Sequence, residues 1–202
     1  MLKMGLTGGI ASGKSAVAAM LREMGFPVLE ADVVAHKLME PGQVAHDEIL
    51  REFGADLGDA AGRIDRAKLA SIAFADPGKL ALLNKIIHPR VEEVVLKQFA
   101  EWEKNGVRDA AFVEAALLVE AGFVQKLDGL VVTFCEPEQQ LERLRTRGMS
   151  EVEAKRRIAA QMPVEEKLRH ATEEIDCSGT LEETRAQVRA LAAKLRGAGR
   201  RS

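Results

Sequence analysis

Gly8-Gly9-Ile10-Ala11-Ser12-Gly13-Lys14-Ser15 has the spacing G-x-x-x-x-G-K-[ST] and stands between an apolar run and a helix-forming segment, Ala16 to Met24. That pattern predicts a loop wrapped around nucleotide phosphates. The glycines let the backbone curl so that successive N–H groups converge on phosphate oxygens, and the following helix adds its positive N-terminal end. Gly8 to Gly13, with Lys14, Ser15 and Ala16, are the expected nucleotide-binding set. Lys14 is placed to reach the β- and γ-phosphates as a catalytic cation, and Ser15 to offer a hydroxyl to Mg²⁺. The loop specifies a phosphate site but not a reaction, since ATPases, GTPases and kinases share it.

Asp32 follows the second apolar run, and ligands in doubly wound sheets sit beyond the carboxyl ends of strands. It is either a carboxylate that takes a proton from an acceptor hydroxyl and helps hold Mg²⁺, or the N-cap of a helix beginning at Val33. Arg143 and Arg147, four apart, share a helix face and suit planar contacts to a transferring phosphate: Arg143 as a catalytic group, Arg147 as a nucleotide contact. The other basic residues nearby, Arg145, Lys155, Arg156, Arg157, Lys167 and Arg169, read as solvated. His88, just before Pro89, reads as a structural turn residue more readily than as a base.

These groups need a scaffold. Short apolar runs at Leu2 to Thr7, Pro27 to Glu30, Asp109 to Glu114, Leu130 to Phe134 and Glu174 to Cys177 alternate with helical patterns. The expected class is α/β, a parallel five-stranded sheet flanked by helices. About 75 residues separate the second and third runs, where a crossover takes about 30. The excess reads as helices over Val33 to Met39, Gln43 to Phe53, Arg66 to Phe74 behind an Asp65 cap, Lys79 to Ile87, and Arg90 to Lys104. The expected organisation is one domain: a core of 1–32, 105–136 and 171–202, a helical insert at 33–104 and an arginine-bearing lid at 137–170. A helix from Leu181 runs towards a frayed tail, Arg196 to Ser202.

The chain has 202 residues with 47% apolar and 30% charged side chains, the balance of a water-soluble globular protein. A net charge of −2 provides no broad field for nucleic acid or an acidic membrane. Cys135 and Cys177 lack metal-ligand spacing and read as buried thiols. No leader or membrane span is expected, so the location expected is cytoplasmic. Asn-Lys-x-Asp after a late strand is missing, which favours ATP over GTP. Two inserts at these places match small-metabolite kinases better than motor ATPases.

Leu6 to Ser15, Glu30-Ala31-Asp32, Gly62 to Arg66 with Leu69 and Phe74, and Leu83 to Pro89 resemble the dephospho-coenzyme A kinase family in order and spacing. So do Leu117 to Glu120, Pro137 with Gln140, Arg143 and Arg147, and Gln161. The resemblance runs from residue 4 to about 190. It implies a P-loop kinase fold whose insert holds the acceptor and whose lid closes over ATP. The implied reaction transfers the γ-phosphoryl group of ATP, with Mg²⁺, to the 3′-hydroxyl of dephospho-coenzyme A. Asp32, Arg66, His88, Arg90 and Glu120 are the implied acceptor residues, Glu120 being either structural or part of that site. Glu30, Ala16 and Ala116 stand where the family pattern has Asp, Thr and Pro, and Cys177-Ser178-Gly179 stands where it has Asn before Gly. The alternatives are a nucleoside or nucleoside monophosphate kinase and a non-catalytic ATP-binding module. A monomer is expected, with no nucleic-acid or membrane partner.

Overall fold

Apolar runs too short for helices and rich in Val, Leu and Phe pair into a sheet here, as β-propensity requires. A computed structural model describes residues 1–59 and 61–198. Its strands are β1 (Leu2–Gly8), β2 (Val28–Glu30), β3 (Ala110–Glu114), β4 (Gly129–Phe134) and β5 (Glu173–Asp176). They form one five-stranded parallel sheet in the order β2-β3-β1-β4-β5. β1 lies at its middle, with Leu6 opposite Glu114 on one side and Val131 on the other. The chain reverses direction of travel across the sheet on either side of β1, and that switch point opens a crevice at the carboxyl ends of β1, β3 and β4.

The described residues form two units, 1–29 with 99–198, and Glu30–Gln98. In the first unit, α1 (Lys14–Glu23) and α9 (Leu181–Ala198) pack on the sheet. Met4, Leu6, Phe112, Val131 and Ile175 meet Val17, Leu21, Val188, Leu191 and Leu195 in one buried cluster. Phe26 meets Phe112 edge to face at 5.8 Å. Each fully buried side chain of this size contributes ~1.5–3 kcal/mol by leaving water, so the phosphate loop is anchored at both ends in this buried cluster. α6 (Pro137–Thr146), α7 (Glu151–Ala159) and α8 (Val164–Leu168) lie between β4 and β5. The expected frayed tail falls partly outside the described residues, from 199 on. Arg196 within it is held: its guanidinium donates to the Met24 carbonyl at 2.5 Å and sits 5.3 Å over the Phe26 ring.

The second unit holds α2 (Ala31–Leu38), α3 (His46–Phe53), α4 (Arg66–Ala75) and most of α5 (Pro77–Lys104). Asp65 caps α4 as expected, its carboxylate accepting from the amides of Ala67 and Lys68 at 3.0 Å each. Three expectations fail. α2 begins at Ala31 with Glu30 at the N-cap position, so Asp32 is not the cap. α3 begins at His46, since Pro41 to Ala45 form turns. The expected break at His88-Pro89 is a single helix, α5, that runs through the proline. Pro89 removes one N–H, but Ile86, Ile87, Val95 and Phe99 are buried on both sides of it, so packing holds both halves helical. Arg90, next after the proline, donates to the Ile86 carbonyl at 2.5 Å. His88 is therefore a helix residue rather than a turn residue. Among the described residues no helix is long and apolar enough to cross a membrane.

Candidate functional site

β1 delivers the chain into the phosphate loop through Gly8, where a Cβ would lie 2.5 Å from the Thr133 carbonyl oxygen. Only glycine fits. Ser12, buried within the loop, shares a 2.8 Å hydrogen bond with the Thr133 hydroxyl, and Thr133 in turn donates to the Thr7 carbonyl at 3.3 Å. Ala11 holds φ at 60°, a left-handed conformation that costs a non-glycine residue roughly 1 kcal/mol. Gly13 caps α1 with φ at 100°, its missing side chain leaving room for Cys177, whose Sγ would be 2.7 Å from a Cβ. No side chain caps α1, and its first turn carries no acidic residue. The leading N–H groups of that helix and its positive dipole end are thus left for an anion.

The loop borders a cavity of about 520 Å³ lined by residues 9–16 with Ala116, Arg143, Arg147, Gln161, Cys177 and Leu181 among others. Lys14 Nζ donates to Glu114 Oε1 at 2.6 Å, and the Ser15 hydroxyl donates to the same oxygen at 3.4 Å. Glu114 is only 6% exposed, a buried carboxylate whose nearest partner is the lysine head group. In the sequence Glu114 stands out only as the end of the third apolar run. The signal that finds it is its level in the sheet: it ends β3 opposite Leu6, two residues before the loop that β1 feeds.

Gln140 and Gln161 bracket one residue of the loop, Ile10. Gln140 Nε2 donates to the Ile10 carbonyl at 2.5 Å, and the Ile10 amide donates to Gln161 Oε1 at 2.7 Å. Arg143 donates to the Ala11 carbonyl at 3.2 Å and to the Cys177 carbonyl at 2.6 Å, tying the loop to the end of β5. Arg147 follows α6 as its C-cap and also lines the cavity. Burial pushes the Cys177 thiol up to about 11 despite the nearby Arg143 charge, and raises Cys135 as well, so both are poor nucleophiles at neutral pH.

The structure therefore gathers Gly9 to Ala16, Arg143 and Arg147 round one cavity, with Gly8 directly behind it. Glu120 lies outside that lining, its Oε1 accepting from Lys167 Nζ at 2.8 Å and from the Met162 amide at 3.2 Å. Lys167 corrects the expectation that the minor basic residues of 137–170 are solvated: its side chain is 0% exposed. Arg145, Lys155, Arg156, Arg157 and Arg169 are exposed, as expected. The remaining expected site residues belong to the unit Glu30–Gln98. There Asp32 is exposed in the first turn of α2, and Arg66 is exposed at the start of α4. Arg90 pairs with Glu48 at 2.5 Å, and half-buried His88 has its pKa pushed down by burial.

Among the described residues no group of three or more His, Cys, Asp or Glu side chains is arranged to hold a metal by itself. The Ser15 hydroxyl and Glu114 carboxylate nevertheless present two hard oxygens beside the phosphate cradle, which fits Mg²⁺, an ion that takes one or two protein oxygens and completes its shell with phosphate and water.

A family model described as dephospho-CoA kinase matches residues 2–183. A dephospho-CoA kinase of Corynebacterium glutamicum is 42% identical over 196 residues, covering 96% of this chain and 98% of that protein. A crystal structure from Thermus thermophilus superposes with a TM-score of 0.82 at 35% identity, covering 96% of this chain and 97% of its own. The dephospho-CoA kinase of Campylobacter jejuni superposes with a TM-score of 0.72 at 27% identity, covering 96% and 98%. With a match that spans nearly the whole chain, the protein belongs to the dephospho-CoA kinase family.

Proposed function

We propose that the protein transfers the γ-phosphoryl group of ATP to the 3′-hydroxyl of dephospho-coenzyme A, giving coenzyme A and ADP, the last step of coenzyme A biosynthesis. The observation that carries this reading is the N-terminus of α1, which no side chain caps and which opens with Lys14 and Ser15, in a cavity also lined by Arg143 and Arg147. The N–H groups of the loop and of α1 bind the phosphates, and Lys14 exchanges Glu114 for the β- and γ-oxygens. Ser15 and Glu114, with Asp32 as a further candidate, would hold Mg²⁺, which would supply neutralisation of the phosphate charge.

Asp32 is the proposed catalytic base. The acceptor oxygen forms its bond to the γ-phosphorus, the bond from that phosphorus to the bridging oxygen of ADP breaks, and the hydroxyl proton passes to the Asp32 carboxylate. Arg143 and Arg147 stabilise the charge spread over the transferring oxygens. Residues 33–104 are proposed to hold the acceptor and 137–170 to act as a lid. Arg66, His88 and Arg90 border the acceptor in this reading. Arg90 meets phosphate by giving up Glu48, and His88, kept neutral by burial, acts through hydrogen bonding. Glu120 contributes through Oε2, because Oε1 is committed to Lys167 and the Met162 amide. The two free cysteines accord with a reducing, cytoplasmic setting.

A coupled ADP-release assay tests the reading. ADP should appear at a rate that depends on added dephospho-coenzyme A and barely at all with nucleosides or nucleoside monophosphates. Preference for a nucleoside acceptor would reassign the substrate, and ATP binding with no acceptor-dependent ADP would make the protein a binding module.

A further inference from the structure

We propose that Lys167 is a positioning residue for the nucleotide pocket, acting through Glu120 and Gln161 on the Ile10 amide of the phosphate loop. This rests on the reading of that cavity as the ATP site. Lysine is seldom buried completely, because desolvating its ammonium group is costly unless partners surround it. Lys167 has a side chain that is 0% exposed, and its Nζ donates to the Ala116 carbonyl at 2.6 Å and to Glu120 Oε1 at 2.8 Å.

Each partner leads towards the pocket. The Ala116 carbonyl also accepts from the Thr7 hydroxyl at 3.2 Å, at the end of the strand that feeds the loop, and Ala116 itself lines the cavity. Glu120 Oε1 accepts a second bond from the Met162 amide at 3.2 Å, which fixes the backbone next to Gln161. Gln161 Oε1 then accepts from the Ile10 amide at 2.7 Å. One ammonium group thereby joins the segment after β3 to the segment before α8, at the point where that segment touches the phosphate loop. Each link is a hydrogen bond, and a charge-assisted one is stronger than a neutral one. Releasing the first link lets Met162 and Gln161 move and frees the Ile10 amide.

The informative variant is Lys167→Met, which fills similar volume with an apolar chain. Glu120 is 23% exposed in its side chain and can turn to water once the lysine is gone, so the change leaves no stranded charge. In the nucleotide-free protein, amide exchange at Ile10 should quicken, and calorimetric titration with ADP should show affinity weakened about 5- to 10-fold, the scale of one hydrogen bond. The KM for ATP should rise by a similar factor while the KM for the acceptor stays within about twofold of the parent. Gln161→Ala should give the same change, and adding Lys167→Met to it should add little, since coupled residues are non-additive. A folded Lys167→Met protein with parental Ile10 exchange and ADP affinity would overturn the assignment, as would full additivity with Gln161→Ala. Should Lys167→Met fail to fold, Glu120→Gln keeps the side-chain size, removes the counter-charge and is read by Ile10 exchange and ADP affinity alone. A parent protein that binds no ADP would defeat the ATP-site reading instead, while the exchange rate at Ile10 still reports on Lys167.

Discussion

Lys14 Nζ and Glu114 Oε1 are 2.6 Å apart, an ion pair between the phosphate-loop lysine and a buried carboxylate of the neighbouring strand. The lysine is thus part of the fold as well as of the site. Lys14→Ala should lower phosphoryl transfer by more than about 10²-fold, as loss of a preorganised charge at a transferring phosphate does. It should also lower stability by roughly 1–3 kcal/mol, because Glu114 is left buried without its ammonium partner. Adding Glu114→Gln should recover most of that stability in urea denaturation and none of the turnover. Recovery of both together would mean that the lysine serves the fold alone.

Arg143 reaches two carbonyls at once, Ala11 in the loop and Cys177 at the end of β5, a span that suits a guanidinium and not an ammonium group. Arg143→Lys should therefore behave almost like Arg143→Ala. Both should reduce kcat more than they raise the acceptor KM, because the charge matters most in the transition state. Arg147→Ala should show the same split with a smaller loss, since that residue is exposed at the cavity edge. A change confined to the acceptor KM would move these arginines to the acceptor side.

His46 is buried with its ring nitrogens 2.7 Å from Asp47 Oδ1 and 2.6 Å from the Gly62 carbonyl. Two acceptors call for two donors, which only the imidazolium form provides. The bond to Asp47, then that to Gly62, raise its pKa above the ordinary value, against the opposing effect of burial. A raised folded-state pKa stabilises fully below the unfolded value, about 6.5, and that stabilisation is lost as pH rises through the folded-state pKa. Urea midpoints should fall from pH 5.5 to pH 8 in the parent protein and change less in His46→Gln. The slope should shrink in high salt because Asp47 is largely in water. A parental slope in His46→Gln would place the titrating group elsewhere.

The scaffold was legible because its signals are local. β1, the phosphate loop and the Asp65 cap each follow from residue type and spacing within a few positions, and all five strands fall within one or two residues of their expected places. What escaped the reading depends on contacts between distant segments. Glu114 matters because register sets it beside Leu6, about 100 residues earlier in the chain. Lys167 looks like any lysine in a charged helix until Ala116 and Glu120 are brought to its head group. Pro89 looks like a helix end because its missing N–H is local, while the apolar packing that carries α5 past it is not.

The start of α2 separates Glu30 from Asp32. If both lay on one strand, residues two apart would point the same way and Glu30 could replace Asp32 as the base. The strand instead ends at Glu30 and the helix begins at Ala31, so the two carboxylates sit on different elements and strand alternation does not relate them. Asp32 lies in the first turn of that helix and is exposed, with Glu30 rather than Asp32 at the N-cap. Asp32→Asn keeps shape and polarity and removes only charge and basicity, so it should unfold at nearly the parental temperature and bind ADP normally. An alcohol is a poor nucleophile at neutral pH, and loss of a positioned base should lower kcat by roughly 10²- to 10⁴-fold. Glu30→Gln should retain most of the parental kcat, and the double change should be no worse than Asp32→Asn by more than about twofold, since only one of the two serves as base. Steady-state rates with dephospho-coenzyme A as acceptor decide it. Parental turnover by Asp32→Asn together with inactivity of Glu30→Gln would transfer the base to the end of β2, and parental turnover by both would remove carboxylate activation of the hydroxyl from the mechanism.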